Sequence, residues 1–478
     1  MPHRSFFMPA ALITSFLILL ILSLQYPLST TFPIGGDAAF YARRAQVALQ
    51  FFDDPTASIQ ALKNSWYPLS LAIFSATNIL PLDWPSRFTW SMVIAHVSVG
   101  ICLALLLRRI GGWPSAALVM IIWAVTTTSI NSNFEDGTLA QLISFSFLAL
   151  FLERFTAGAK WSALLALIAT PLTHPITGLA LLVSLLVTTP ALFSAWSSLT
   201  APHKKQLLLI CPINFLLLLL VLFTGKSVFS TSKYIIGVAK DPFINVLVSS
   251  YAPFVTLAPL GLLLLLRSAA PTTAKYIIAI LFSLSVMLAG NDLLEIAVWT
   301  QRLLPLFIFF VSILASLSLS HIIQTVYKSN FSRVLFSLVI VAYFCTAAWI
   351  SNSRVYRYYE NPANYARLHP DELAAMYWLR DHLTKNSYIT TSDKNRHTEW
   401  LPVITSLQWL AVSPDDESLI NPTNDQIDSL TYRKQKYVAY FTQRENIPTP
   451  VLESPGRYPL VFSNQSVAVY HVPPYTYE

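Results

Sequence analysis

Residues 35–45 read GGDAAFYARRA, and they lie between the first long apolar run of the chain and a succession of others. Two glycines break the preceding segment, Asp37 follows them, and a helix-like run from Ala38 to about Gln50 carries Arg43 and Arg44. A charged helical element between membrane-length apolar runs belongs at the surface of a bilayer, where a carboxylate can act on something presented at the membrane. Aspartate is also among the favoured N-cap residues, so capping of the following helix is the other reading of Asp37.

Outward from this stretch the chain is apolar. Of 478 residues 54% are hydrophobic and 12% charged, about half the charged share of a typical soluble domain. Runs long enough to cross a hydrocarbon core of about 30 Å fall at 6–25, 87–107, 113–130, 137–153, 207–224, 244–266, 275–290, 302–323 and 334–350. A further stretch, 161–194, is broken by TPLTHP at 170–175, and the prolines at 171 and 175 make it two segments meeting at a kink. The run at 67–82 has 16 residues with Pro68 and Pro81 near its ends and reads as re-entrant. The start, MPHRSFF before an apolar core, lacks a clear small-x-small cleavage site and reads as a retained signal anchor.

The charges divide the chain in two. Residues 352–478 hold 12 Lys/Arg and 14 Asp/Glu, against 19 and 10 in residues 1–351. A transmembrane domain (1–351) is therefore followed by a charged, soluble one (352–478). With 67–82 re-entrant, the basic residues flanking the apolar runs, from Arg4 through Arg108, Arg109, Arg154, Lys160, Lys204, Lys205, Arg267 and Lys275 to Lys328 and Arg333, fall on one side, with Glu153 as that side's only acid. The positive-inside rule makes that side cytoplasmic. The expected fold is an α-helical polytopic membrane protein of about 11 spans with a C-terminal extracytoplasmic α/β domain, its N-terminus cytoplasmic. The net charge of +7 resides in the membrane part, so topology accounts for it and nucleic acid does not. Cys102, Cys211 and Cys345 sit in apolar runs with no ligand spacing.

In the last domain, HPDELAAMYWLRDHL (369–383) has apolar residues at helical spacing behind an acidic first turn. SYITTS (387–392), KYVAYF (436–441), YPLVF (458–462) and SVAVYHV (466–472) read as strands, the last two joined by a short turn.

The expected outer face gathers the candidate chemistry: Asp37, then Glu135 and Asp136 in NSNFEDGT (131–138), His174 at the broken helix and Arg302 at the start of a span. Carboxylates and cations above a hydrophobic bundle suit group transfer, with one carboxylate as general base and a cation balancing a phosphate leaving group. Arg43, Arg44, His174, Lys233 and Arg302 are the candidate substrate-binding residues. Asp136 also suits a cap, His174 a structural hydrogen bond beside Pro175, Arg302 interfacial anchoring, and Lys226, Lys233 and Lys240 a solvated loop. The chain has no GxGxxG, GxxxxGK[ST], HExxH or GxSxG, so any phosphate handled here belongs to a lipid carrier.

In layout these residues resemble the polytopic glycosyltransferases of the GT-C superfamily, the protein-mannosyltransferase and aminoarabinose-transferase-like enzymes. The likeness rests on an anchor helix followed by GGDAAFYARRA, then WYPLSLAIF (66–74), FEDGTLAQL (134–142), THPITG (173–178), QRLLPLF (301–307) and a soluble outer domain. It implies an integral plasma (inner) membrane enzyme that takes a sugar from a polyprenyl-phosphate donor and passes it to a protein, lipid or glycan acceptor. It puts the base or metal-ligand role on Asp37, with Glu135 or Asp136 assisting. Asp37 is followed by Ala38 rather than by a second acid, and no divalent cation is required by the sequence. The rival class is a non-catalytic membrane protein, a transporter or envelope assembly factor.

Overall fold

The computed structural model describes residues 3–29, 38–49, 56, 68–126, 138–224, 252–290, 300–326, 339–342, 344–346, 349, 369–384, 387–391, 400–411, 435–441 and 459–471. Its helices are α1 (His3–Ser29), α2 (Ala38–Leu49), α3 (Pro68–Ala76), α4 (Trp84–Ile110), α5 (Gly112–Val125), α6 (Leu139–Thr156), α7 (Lys160–Thr173), α8 (Pro175–Ser194), α9 (Ala201–Thr224), α10 (Ala252–Arg267), α11 (Thr272–Ala289) and α12 (Thr300–Val326). Six of the described helices are long and apolar enough to cross a membrane, and four shorter ones are apolar over 10–17 residues. The chain is an integral membrane protein.

Two ends of the bundle are distinguishable. At one end α4 closes with Arg108 and Arg109, and α5 turns back through Gly112, whose φ of 78° a side chain would strain. Glu153, in the last turn of α6, pairs there with Arg109 at 2.8 Å and Arg154 at 3.0 Å. Gln206 donates to the Arg154 carbonyl and the His203 ring meets the Thr156 carbonyl, which puts the start of α9 with Lys204 and Lys205 at this end too. The single acid expected among these cations is thus held by two of them.

Helix α12 is the axis, buried at every position from Leu303 to Ser320. Phe309 meets Trp123 and Phe145, and Leu317 lies against Gly111. Helix α12 therefore starts at the far end and runs toward the basic one. Gly261 of α10 faces the Leu314 backbone, and Ser318 donates to the Leu257 carbonyl at 2.6 Å. These two contacts make α10 antiparallel to α12 and point its Arg267 end away from the basic end. Arg267 and the adjoining Lys275, whose ammonium donates to the Leu266 carbonyl, thus depart from the one-sided pattern expected from the sequence. Packing through a glycine, not loop charge, sets the direction of α10.

The predicted kink is present as a break at His174. Pro175 cannot donate to a carbonyl, so α7 stops and α8 starts afresh. The Thr173 carbonyl at the break is answered from outside, by the Ser70 hydroxyl at 3.0 Å, while the Thr170 carbonyl accepts the His174 amide at 3.0 Å and the Ser144 hydroxyl at 3.3 Å. Helix α3, which brings Ser70, has nine residues, about 14 Å at 1.5 Å per residue. That is too short to cross, as the re-entrant reading of 67–82 requires.

The C-terminal part contributes α13 (Pro370–His382), α14 (Trp400–Thr405) and a five-stranded sheet of order β2-β1-β3-β5-β4. The strands are β1 (Tyr388–Thr391), β2 (Gln408–Ala411), β3 (Gln435–Phe441), β4 (Leu460–Ser463) and β5 (Val467–His471). Strand β1 is parallel to β2 and β3, while β5 is antiparallel to β3 and β4. Helix α13 begins with the Glu372 carboxylate accepting from the His369 amide at 2.8 Å, and stacks Trp378 on Phe462 with ring centroids 4.8 Å apart. The domain boundary at 351/352 lies outside the described residues.

Candidate functional site

Helix α2 is held at the end of the bundle opposite the basic cluster. Its apolar positions Ala38, Tyr41, Ala42 and Ala45 are buried, a spacing that puts them on one face. Tyr41 packs on Phe88, which with Phe74 and Trp84 forms an aromatic seat supplied by α3 and α4. The opposite face carries Arg43, exposed to solvent, and Gln46.

The C-terminal module closes over this helix. Gln46 donates from Nε2 to the Val403 carbonyl of α14 at 2.8 Å. Tyr377 of α13 donates to Asp83 Oδ2 at 2.9 Å, while Asp83 Oδ1 accepts the Ser86 amide at 2.9 Å and so caps α4. Burial, then the hydrogen bond to Asp83 and its charge, push the Tyr377 phenol up to about 12. It therefore stays a neutral donor at any physiological pH.

Between α2, the start of α4 and α14 runs an open groove of about 460 Å³, lined by Arg43, Gln46, Val47, Leu49, Trp84, Pro402, Ser406 and Leu407. Ser406 has φ 58°, the one positive value at a non-glycine among the described residues. Such backbone strain, of order 1–3 kcal/mol, concentrates at binding and catalytic sites. The exposed guanidinium of Arg43 offers a fork of donors suited to a phosphate or carboxylate.

Of the candidate residues, Arg43 lines this groove. Arg44 instead lies over the Phe40 ring at 4.1 Å, so α2 occupies it. Asp37, Glu135, Asp136 and Lys233 lie outside the described residues, and Arg302 is described only in its backbone, in the first turn of α12. Chain direction still places their flanks. Asp37 adjoins the first residue of α2, and Thr126 and Thr138, on either side of the Glu135–Asp136 segment, end α5 and begin α6 away from the basic cluster. The starts of α8 and α12 are at the same end. Among the described residues no three His, Cys, Asp or Glu side chains converge as a metal site.

His174 has a definite structural role. It is buried, and its Nδ1 accepts the Thr177 amide at 3.3 Å and lies 2.9 Å from Thr177 Oγ1, capping α8 across the break. As acceptor, Nδ1 leaves the ring proton on Nε2. His174→Asn, which can still cap, is expected to unfold within about 0.5 kcal/mol of wild type, whereas His174→Ala should cost about 1–2 kcal/mol. Thermal unfolding in detergent reads the difference; equal losses in the two variants would contradict the cap.

Sequence reading missed Gln46, Trp84, Tyr377 and Ser406 as lining or closing residues. The groove joins helices about 360 positions apart in sequence, and no local pattern announces such a meeting.

No protein-family model and no curated protein matches the chain. Solved structures do. The crystal structure of ArnT from Cupriavidus metallidurans bound to undecaprenyl phosphate superposes with TM-score 0.57 at 13% identity, over 98% of each chain. The apo oligosaccharyltransferase of Archaeoglobus fulgidus gives 0.61 at 11% identity, over 91% of this chain and 70% of that one. The arabinofuranosyltransferase AftD from mycobacteria gives 0.58 at 15% identity, over 96% of this chain and 41% of that one. The resemblance to GT-C glycosyltransferases drawn from the sequence holds at the level of fold.

Proposed function

We propose that this chain is a membrane glycosyltransferase that takes a sugar from a polyprenyl-phosphate donor and transfers it to a protein, lipid or glycan acceptor on the outer face. The observation that carries the reading is the groove over α2. It presents Arg43 at the end of the bundle where Ala38, Thr126 and Thr138, the described neighbours of the Asp37 and Glu135–Asp136 segments, also lie, in a fold shared over 98% of each chain with a protein solved with undecaprenyl phosphate.

The mechanism is a single displacement. Asp37 takes the proton of the acceptor hydroxyl or amine as that atom attacks the anomeric carbon, and the sugar–phosphate C–O bond breaks. Arg43, with Arg302 or Lys233, balances the charge of the departing lipid phosphate. Among the described residues the Asp, Glu, Lys and Arg side chains of the spans sit at helix ends. An ion-coupled transporter carries such groups deep in its spans, so this distribution favours the enzyme. Supplying purified protein with radiolabelled polyprenyl-phosphate sugars and candidate acceptors tests the reading: label should leave the lipid for the acceptor. Donors that stay intact across the panel would count against it.

The topology of about 11 spans, with the C-terminal α/β domain outside, rests on the cations of α4, α6 and α9 gathered at the opposite end of the bundle, with the reversed α10 as its one departure among the described helices. In a protein with Cys102, Cys211 and Cys345 replaced by alanine, Ser463→Cys in the module should be labelled from outside. Ser198→Cys beside the start of α9 should react only after permeabilisation; both positions are exposed. Outside labelling of Ser198→Cys would reverse the orientation.

A further inference from the structure

An open trough of about 370 Å³ runs along the bundle between α1, α4 and α5, at the end opposite the C-terminal module. Its walls are Leu12, Ile13, Phe16, Ile101, Ala104, Leu105, Trp113, Ala116 and Met120, and its one charged lining residue is Arg108. Ile13 and Leu105 are 60% and 41% exposed, so the trough opens sideways, toward lipid. Arg108 also lines an adjoining cavity of about 270 Å³ with Leu105, Arg109 and Glu153. Glu153 is already shared by Arg109 and Arg154, and among the described residues no carboxylate lies within ion-pairing distance of Arg108. Its guanidinium lies over the Trp113 ring at 4.0 Å, which fixes it at the mouth of the trough.

We propose that this trough is a binding site for an anionic phospholipid, with one acyl chain lying between α1, α4 and α5 and the phosphate on Arg108. Inside a bilayer an acyl chain gains little by exchanging lipid neighbours for leucine and isoleucine. Selectivity must then come from the head group, and charge decides it. The mouth presents Arg108 beside Arg109 with a single, already paired acid, and basic pockets between spans are where acidic head groups settle. The site lies in the leaflet opposite the C-terminal module, distinct from the groove over α2. It stands whether or not the chain transfers sugars.

The test uses the full-length protein in detergent, mixed with equal amounts of phosphatidylglycerol and phosphatidylcholine and read by native mass spectrometry. Wild type should retain phosphatidylglycerol about five-fold over phosphatidylcholine, the size of one phosphate–arginine attraction at a membrane surface. Arg108→Gln should bring the ratio near parity, and Arg108→Lys should keep most of it. Ala104→Phe, which fills the trough and leaves Arg108 in place, should reduce retention of either lipid. Equal retention of both lipids by wild type would overturn the proposal. So would a preference untouched by Ala104→Phe, or one abolished by millimolar inorganic phosphate, since each would mark a site for the phosphate group alone. Thermal unfolding of each variant confirms that the ratio is read on folded protein.

Discussion

Asp37→Asn is expected to fold and insert like the wild type and to lose about 100-fold or more in sugar transfer, the usual scale of general-base catalysis. Asparagine keeps the size of aspartate and most of its ability to cap, so it separates the two roles open to this residue. A cap alone would make the substitution nearly silent in both stability and rate. The base role removes the acceptor's proton sink while leaving donor binding intact, so kcat should fall and KM for the donor should hold. Transfer at the wild-type rate by a folded Asp37→Asn protein would pass the role to Glu135 or Asp136, whose described flanks Thr126 and Thr138 lie at the same end of the bundle.

The second large effect is on stability. A Cβ added at Gly261 would stand 1.9 Å from the Leu314 carbonyl oxygen, which is backbone and cannot swing aside. Gly261→Val should therefore push α10 off α12, break the 2.6 Å Ser318–Leu257 hydrogen bond and cost about 3 kcal/mol, the upper part of the overpacking range. Gly261→Ala should already be destabilising. Midpoints of thermal unfolding in detergent rank the three proteins, and a Gly261→Val protein as stable as wild type would contradict the close crossing.

The parts of the fold set by local pattern were legible in the sequence. The apolar runs from 6–25 to 302–323, the break at 170–175, the short segment at 67–82, helix α13 and strands β1, β3, β4 and β5 all follow from periodicity, proline or turn chemistry, and the structure places elements there, while most of the run at 334–350 lies outside the described residues. Strand β2 and helix α14 were not read. They share one apolar stretch, WLPVITSLQWLAV (400–412), where helical and extended periods compete, and pairing of β2 with β1 across the sheet decides between them. The direction of α10 was misjudged from its charges because the deciding contact, glycine against backbone, is a tertiary one.

For the site, the sequence supplied the residue types but not their meeting. Arg43 was singled out, yet its groove is made by Pro402, Ser406 and Leu407 from the far end of the chain. Arg44, its equal in sequence, is turned onto Phe40. His174 drew attention as a polar residue at a membrane break, and the break itself explains it: a new helix needs a cap where proline stopped the old one. Ser70 and Ser144, which donate to the carbonyls of Thr173 and Thr170 beside the break, carry no signal beyond being serines in apolar runs.

The central claim, transfer from a lipid-phosphate sugar, is tested most directly by following both products of one reaction. Purified wild-type protein, given a polyprenyl-phosphate sugar labelled in the sugar and in the lipid, should release polyprenyl phosphate in a 1:1 ratio with glycosylated acceptor, at a rate about 100-fold or more above that of Asp37→Asn. Intact donor after prolonged incubation with every acceptor class would contradict the claim, as would lipid released without a glycosylated product.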